Sequence, residues 1–117
     1  MSKISFEGYN ENCLTFNKAE GSAIKKGDFV SLSANGTVTT AAANGDIIGC
    51  CTDVDGDFVT VQTQGYIRAT LASGDNIPLG YTSISTDANQ KIIVSSTARK
   101  VHVTDVDIPG KTIGFIL

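Results

Sequence analysis

Helical periodicity is almost absent from this chain. Its longest candidate, "NKAEGSAIKKG" (17–27), is interrupted by Gly21. Short runs rich in Ile, Val and Thr dominate instead: 28–33, 37–40, 46–52, 57–63, 65–71, 81–86, 91–95, 99–104 and 112–117. Gly, Asn, Asp or Ser punctuates them, as expected of strands separated by turns. Many short strands with tight turns and no intervening helices predict an all-β fold, a small antiparallel barrel or sandwich built from hairpins. The 117 residues suffice for one such domain and not for two of ordinary size. We expect a single β-domain over 13–117, preceded by an extended arm at 1–12.

Composition narrows the function classes. At 41% hydrophobic and 18% charged residues the chain is globular, not disordered. With no Trp and few aromatics, the core must be Ile, Val, Leu and Ala with some Phe. A formal net charge of -3 argues against nucleic acid as a partner, since phosphate binding calls for a basic stripe. No apolar stretch approaches the roughly 20 residues that span a bilayer, so no membrane partner is expected. "MSKISFEGYN" lacks a hydrophobic signal core, which predicts synthesis in the cytosol of the producing cell. The three cysteines are expected to be reduced thiols.

Two turns predict registers. In "SLSANGTVT", the loop Ala34-Asn35-Gly36 lets Gly36 adopt a left-handed conformation, with a bulge. Leu32 then faces Val38 and Val30 faces Thr40, with their apolar residues on one face. In "CCTDVDGDFVTVQTQG" (50–65), Asp55-Gly56 reads as a two-residue turn. It sets Thr52 opposite Val59 and Cys50 opposite Val61. Ile48, Cys50, Val59 and Val61 then share the buried face, and Cys51 points outward. An internal echo is also visible: "IKKGDFVSLSANGTV…DIIG" (24–49) resembles "IPLGYTSISTDANQKI…TIG" (77–114). Two similar β-units, or hairpins that merely look alike, both account for it.

Candidate chemistry is sparse. Asp53, Asp55 and Asp57 fit the first acidic positions of a helix–loop–helix calcium loop. Phe58 stands where Gly belongs, however, and Gln64 where Glu belongs, so no metal is expected. Adjacent strand residues face opposite sides, so Cys50 and Cys51 cannot jointly hold one ion, and Cys13 is alone. His102 alternates with Val101 and Val103, on the side of Lys100 and Thr104, as a surface strand residue. "NGT" (35–37) is already explained by the hairpin. No nucleophile elbow, Cys–His spacing or phosphate loop is present, so neither an enzyme nor a cofactor is expected.

The order of the motifs resembles a family of small capsid-decoration proteins of tailed bacteriophages. The residues that carry the resemblance are Glu7-Gly8, Leu14-Thr15-Phe16, Gly27-Asp28-Phe29-Val30, Asp46-Ile47-Ile48-Gly49, Gly56-Asp57-Phe58-Val59-Thr60-Val61 and the closing "TIGFIL" (112–117). The segment 96–110 departs from the pattern, being longer and less alanine-rich. The resemblance implies a structural virion protein on the outer surface of the capsid. It would bind the major capsid protein after head expansion, often as a trimer, and cement neighbouring subunits. The family brings no catalytic residues.

An arm is a natural adhesive element, because an extended segment can add to a partner's sheet edge. Ile4, Phe6 and Tyr9 are therefore the candidate capsid-binding residues. The segment is equally well read as an ordinary first strand. A second functional class is a β-sandwich carbohydrate-binding or adhesion module displayed on the virion. It would need an exposed aromatic platform, for which Tyr9, Tyr66 and Tyr81 are available.

Overall fold

A computed structural model describes residues 12–72, 77–95 and 98–117. Ile4, Phe6, Tyr9 and all but the last residue of the expected arm lie outside them. Among the described residues ten strands run in chain order: β1 (Asn12–Lys18), β2 (Phe29–Ala34), β3 (Thr37–Thr40), β4 (Gly49–Asp55), β5 (Phe58–Gln64), β6 (Tyr66–Thr70), β7 (Gly80–Thr86), β8 (Ile92–Val94), β9 (Lys100–Asp107) and β10 (Thr112–Ile116). The described residues contain no helix. The fold is all-β, as the punctuated Ile/Val/Thr runs predict. Segment 17–27 is not helical: Asn17 and Lys18 end β1, and most of the rest is loop.

The strands form two sheets. The first half closes into a barrel in the order β1-β3-β2-β4-β5, and the second is a sheet ordered β6-β10-β9-β7-β8. All named pairings are antiparallel except β1 with β3, which is parallel. The two halves repeat one topology. Replacing β1 through β5 by β6 through β10 maps β1·β5, β5·β4, β4·β2 and β2·β3 onto β6·β10, β10·β9, β9·β7 and β7·β8, all antiparallel. The parallel closure β1·β3 has its counterpart in the isolated parallel bridge Leu71↔Ile92. The second half is thus the same ring, joined at its last seam by a single bridge.

The sequence echo marks the entry to the second strand of each half, β2 and β7. Ile24 and Ile77 are both buried, and Gly27 and Gly80 share a φ of +95° and +93°. The echo fails at its end: Ile48-Gly49 leads into β4, whereas Ile113-Gly114 lies inside β10.

The halves pack as one body. Phe29, Ala41 and Ile47 of the first half join Ile67, Leu71, Ile84, Ile92, Val101, Val103, Ile113 and Phe115 in one core. The rings of Phe29 and Phe115 stack with centroids 6.3 Å apart. A smaller cluster of Ile24, Val30, Val38, Cys51, Val59 and Val61 fills the barrel.

The β2–β3 register is as predicted at two pairs, Val30 facing Thr40 and Leu32 facing Val38, and Gly36 takes φ +60°. Ala34 however pairs with Thr37, so the loop is Asn35-Gly36 and the bulge falls at Ser33 and not within a three-residue loop. The hairpin's apolar face is only partly buried, since Leu32 is 57% exposed. β4 pairs with β2 only at Phe29 and Val30, so among the described residues no strand pairs with Leu32 on that side.

The β4–β5 register corrects the sequence reading. Asp55 faces Phe58, so the two-residue loop is Gly56-Asp57 and not Asp55-Gly56. Gly56 alone of the two has positive φ, which is the mark of a turn with Gly at its first central position. A bulge between Cys51 and Asp53 then shifts the phase. Val54 faces Val59 and Cys51 faces Val61, so the barrel face receives Cys51. Cys51 is 1% exposed and Cys50 only partly buried, the reverse of the expectation.

Candidate functional site

The aspartates of the opening motif sit on the β4–β5 hairpin and its tip, all three exposed. Asp53 pairs with Thr60 next to the bulge at Thr52, Asp55 closes the turn, and Asp57 lies within it. Among the described residues no three His, Cys, Asp or Glu side chains come together as a metal site. The thiols are placed separately. Cys50 donates to the Gly27 carbonyl at 3.5 Å and Cys51 to the Asp53 carbonyl at 3.5 Å. Burial pushes the Cys50 thiol up to about 11, with the neighbouring Cys51 and Asp28 adding to the effect. Burial also raises Cys51. Both therefore stay protonated and poorly nucleophilic at neutral pH. Cys13 is exposed on β1.

The outer face of the second sheet carries the aromatic residues. Tyr81 on β7 stands directly opposite His102 on β9, which pairs with Ile116 on β10, which pairs with Tyr66 on β6. Opposed residues share a face, so these four form one row across the sheet. Tyr81 is 65% exposed, its ring tilted against His102 at 4.9 Å, with the Lys100 ammonium 5.5 Å from its centroid. His102 is exposed, as its alternation with Val101 and Val103 predicts.

Tyr66 is buried at the other end of the row and offers no platform. Its hydroxyl donates to Asp105 at 3.0 Å, and Thr104 donates to the same carboxylate at 2.6 Å. Arg68 lies 3.6 Å from Asp105. Gly114 makes this packing possible, because a Cβ there would overlap both the Tyr66 hydroxyl and the Asp105 carboxylate.

Several side chains tie the halves together: Ser85 donates to the Gly45 carbonyl and Gln62 to the Tyr66 carbonyl, and Gln90 and Arg99 add tethers that have no sequence signature. Gln90, at φ +65°, accepts from the Phe29 amide at 2.7 Å and donates to the Ala41 carbonyl at 3.3 Å. Arg99 donates to the carbonyls of Ile48 at 3.0 Å and Thr63 at 3.5 Å. Arg99 also walls an open cleft with Leu32, Asp46, Ile47, Ile48 and Ala98. Its guanidinium is already engaged by backbone carbonyls there, so the cleft offers Asp46 as its ionic group.

Compared with protein-family models and with curated proteins, the chain matches none.

Proposed function

We propose that the protein is a structural virion component that binds the outer surface of a phage capsid and stabilises it. One observation carries this reading: the order of the family-like motifs along the chain. Those among the described residues fall, in chain order, on five of the strands or on the turns that lead into them. Leu14-Thr15-Phe16 lies in β1, Gly27–Val30 leads into β2, Asp46–Gly49 leads into β4, Gly56–Val61 turns into β5, and 112–117 forms β10.

The body is suited to cementing. Short strands, tight turns and a core shared between halves give a scaffold that positions its surface without rearranging. In this reading the major capsid protein is the partner. Copies act together, as the trimer favoured by the resemblance, so that several weak contacts add up by multivalency. Ile4, Phe6 and Tyr9 are the proposed anchors. Fully burying one such side chain contributes roughly 1.5–3 kcal/mol.

The test is co-sedimentation with expanded heads. The full chain should pellet with heads, and a chain lacking 2–9 should stay in the supernatant while keeping its β spectrum. If the shortened chain pellets equally, the arm is not the anchor. If neither pellets, the capsid reading fails.

A second reading rests on the exposed Tyr81 beside His102 and Lys100. Such a ring suits stacking against a sugar on a displayed carbohydrate-binding module. Binding to a glycan array that is abolished by Tyr81→Ala would favour it.

A further inference from the structure

Among the described residues, no strand runs along one edge of the first half of β1. β3 pairs with β1 only at Asn17 and Lys18, while β5 runs along its other side from Asn12 to Asn17. Cys13, Leu14 and Thr15 are exposed, and Leu14 keeps 56% of its surface. Sheet edges are usually guarded by a charge, a proline or a bulge directed at the edge. From Cys13 to Asn17 the sequence "CLTFN" offers no charge and no proline.

The direction of the backbone groups can be read from the neighbouring bonds. The Asn17 amide donates to Gly36 and the Ala19 amide to Val38, both away from β5, while the Lys18 amide donates to Asp57, toward β5. Backbone groups alternate along a strand. The N–H and C=O groups of Cys13 and Thr15 therefore point out of the open edge, and those of Leu14 and Phe16 point toward β5.

Two such pairs, without a partner among the described residues and separated by one residue, form a self-complementary set. Laid antiparallel to its own copy, the edge satisfies both pairs in one register. Cys13 exchanges two bonds with Thr15 of the second chain, and Thr15 does the same with its Cys13. The two Leu14 residues then meet on the dyad as a close, non-hydrogen-bonded pair, which buries their exposed side chains together. Registers shifted by two residues lose this fit. One brings in Asn17, whose amide is already used, and the other sets each Leu14 opposite Asn12, which takes the two Leu14 side chains off the dyad. The absence of charge along the edge also removes the like-charge repulsion that self-pairing otherwise brings.

We infer that β1 is a strand-pairing edge for a second copy of this chain, with Leu14 facing Leu14 across a twofold axis. The contact joins two copies. It is separate from any threefold assembly on a shell, and it does not rest on the capsid reading.

Disulfide trapping in the full chain tests the register. Non-hydrogen-bonded partners lie about 4.5 Å apart at Cα, within disulfide reach. In this register the two Cys13 residues are offset by two positions, about 6.8 Å along the strand, which puts their Cα atoms beyond that reach. Leu14→Cys in a Cys13→Ser background should give, on mild oxidation, a band of twice the chain mass on a non-reducing gel. It should form at least tenfold faster than any such band from the wild-type protein.

In sedimentation velocity, Leu14→Lys should weaken self-association at least tenfold while leaving the β spectrum unchanged. The inference falls if folded Leu14→Cys does not cross-link, if Cys13 cross-links first, or if Leu14→Lys sediments like wild type. It also falls if the wild type does not self-associate and Leu14→Lys instead loses binding to heads, because the edge then belongs to the shell protein.

Discussion

Gly49 opens β4 beneath β5, and its replacement by alanine is a sharp test of how the barrel is closed. A Cβ at Gly49 would overlap the Gln62 carbonyl oxygen and lie 2.9 Å from both the Gln62 carbonyl carbon and Val61 Cγ1. The overlapped atom is backbone in the middle of β5, so no rotamer change relieves it. Relief requires β4 and β5 to separate by on the order of an ångström, as overpacked sites do when the backbone shifts. Overpacking of this kind costs typically 1–3 kcal/mol. The separation also weakens the ladder beside Cys50↔Gln62, at about 1 kcal/mol for each bond lost and more where a buried group is stranded. Together Gly49→Ala should cost about 3–5 kcal/mol, a large share of the 5–15 kcal/mol that holds a domain folded.

Gly56→Ala is the control. Gly56 sits at φ +61° with nothing within 4 Å of an added Cβ, so only the left-handed backbone is penalised, by roughly 1–2 kcal/mol. Urea unfolding at fixed pH compares the two. Gly49→Ala should lose at least about 1 kcal/mol more stability than Gly56→Ala. A loss below about 1 kcal/mol for Gly49→Ala would refute the close approach of β4 to Gln62.

Further outcomes follow from the thiols and the outer face. A maleimide added to the native protein should label Cys13 within minutes, Cys50 slowly and Cys51 only on unfolding; rapid labelling of Cys51 would restore the Asp55-Gly56 register. The folded state holds the Cys50 proton more tightly than the unfolded chain does. Its contribution is therefore complete below about pH 9 and is lost as pH rises toward 11, by up to about 1.4 kcal/mol per pH unit. Subtracting the pH profile of Cys50→Ala from that of wild type should isolate this fall, and identical profiles would contradict it. Tyr66→Phe removes a hydrogen bond to a half-exposed carboxylate and should cost about 1–2 kcal/mol in urea unfolding; a change within error would show that the bond contributes nothing net.

Much of the fold was legible because turn chemistry and burial act locally. Asn35-Gly36 specified its own tight turn, one residue shorter than expected, and nine strand runs stood out between breakers. β1 did not stand out, since "NCLTFNK" is bounded by no glycine or proline and is largely exposed. The β4–β5 error had one source. Strict alternation counted back from a turn cannot foresee a bulge, and the bulge at Thr52 exchanges the faces of Cys50 and Cys51. The parallel closure of β1 onto β3 and the tethers from Gln90 and Arg99 join residues far apart in the chain, so no local pattern announced them. Tyr66 and Tyr81 looked equivalent as sequence. Only the register across β6, β10, β9 and β7 shows one ring folded over Gly114 and the other open to solvent.

The central claim is that this body sits on the outside of a phage head, and cryo-electron microscopy of heads with and without the protein tests it most directly. The account predicts difference density on the exterior of expanded heads, in groups of three at threefold or quasi-threefold positions, and none on unexpanded heads. Saturating protein that leaves the exterior of expanded heads bare would contradict it.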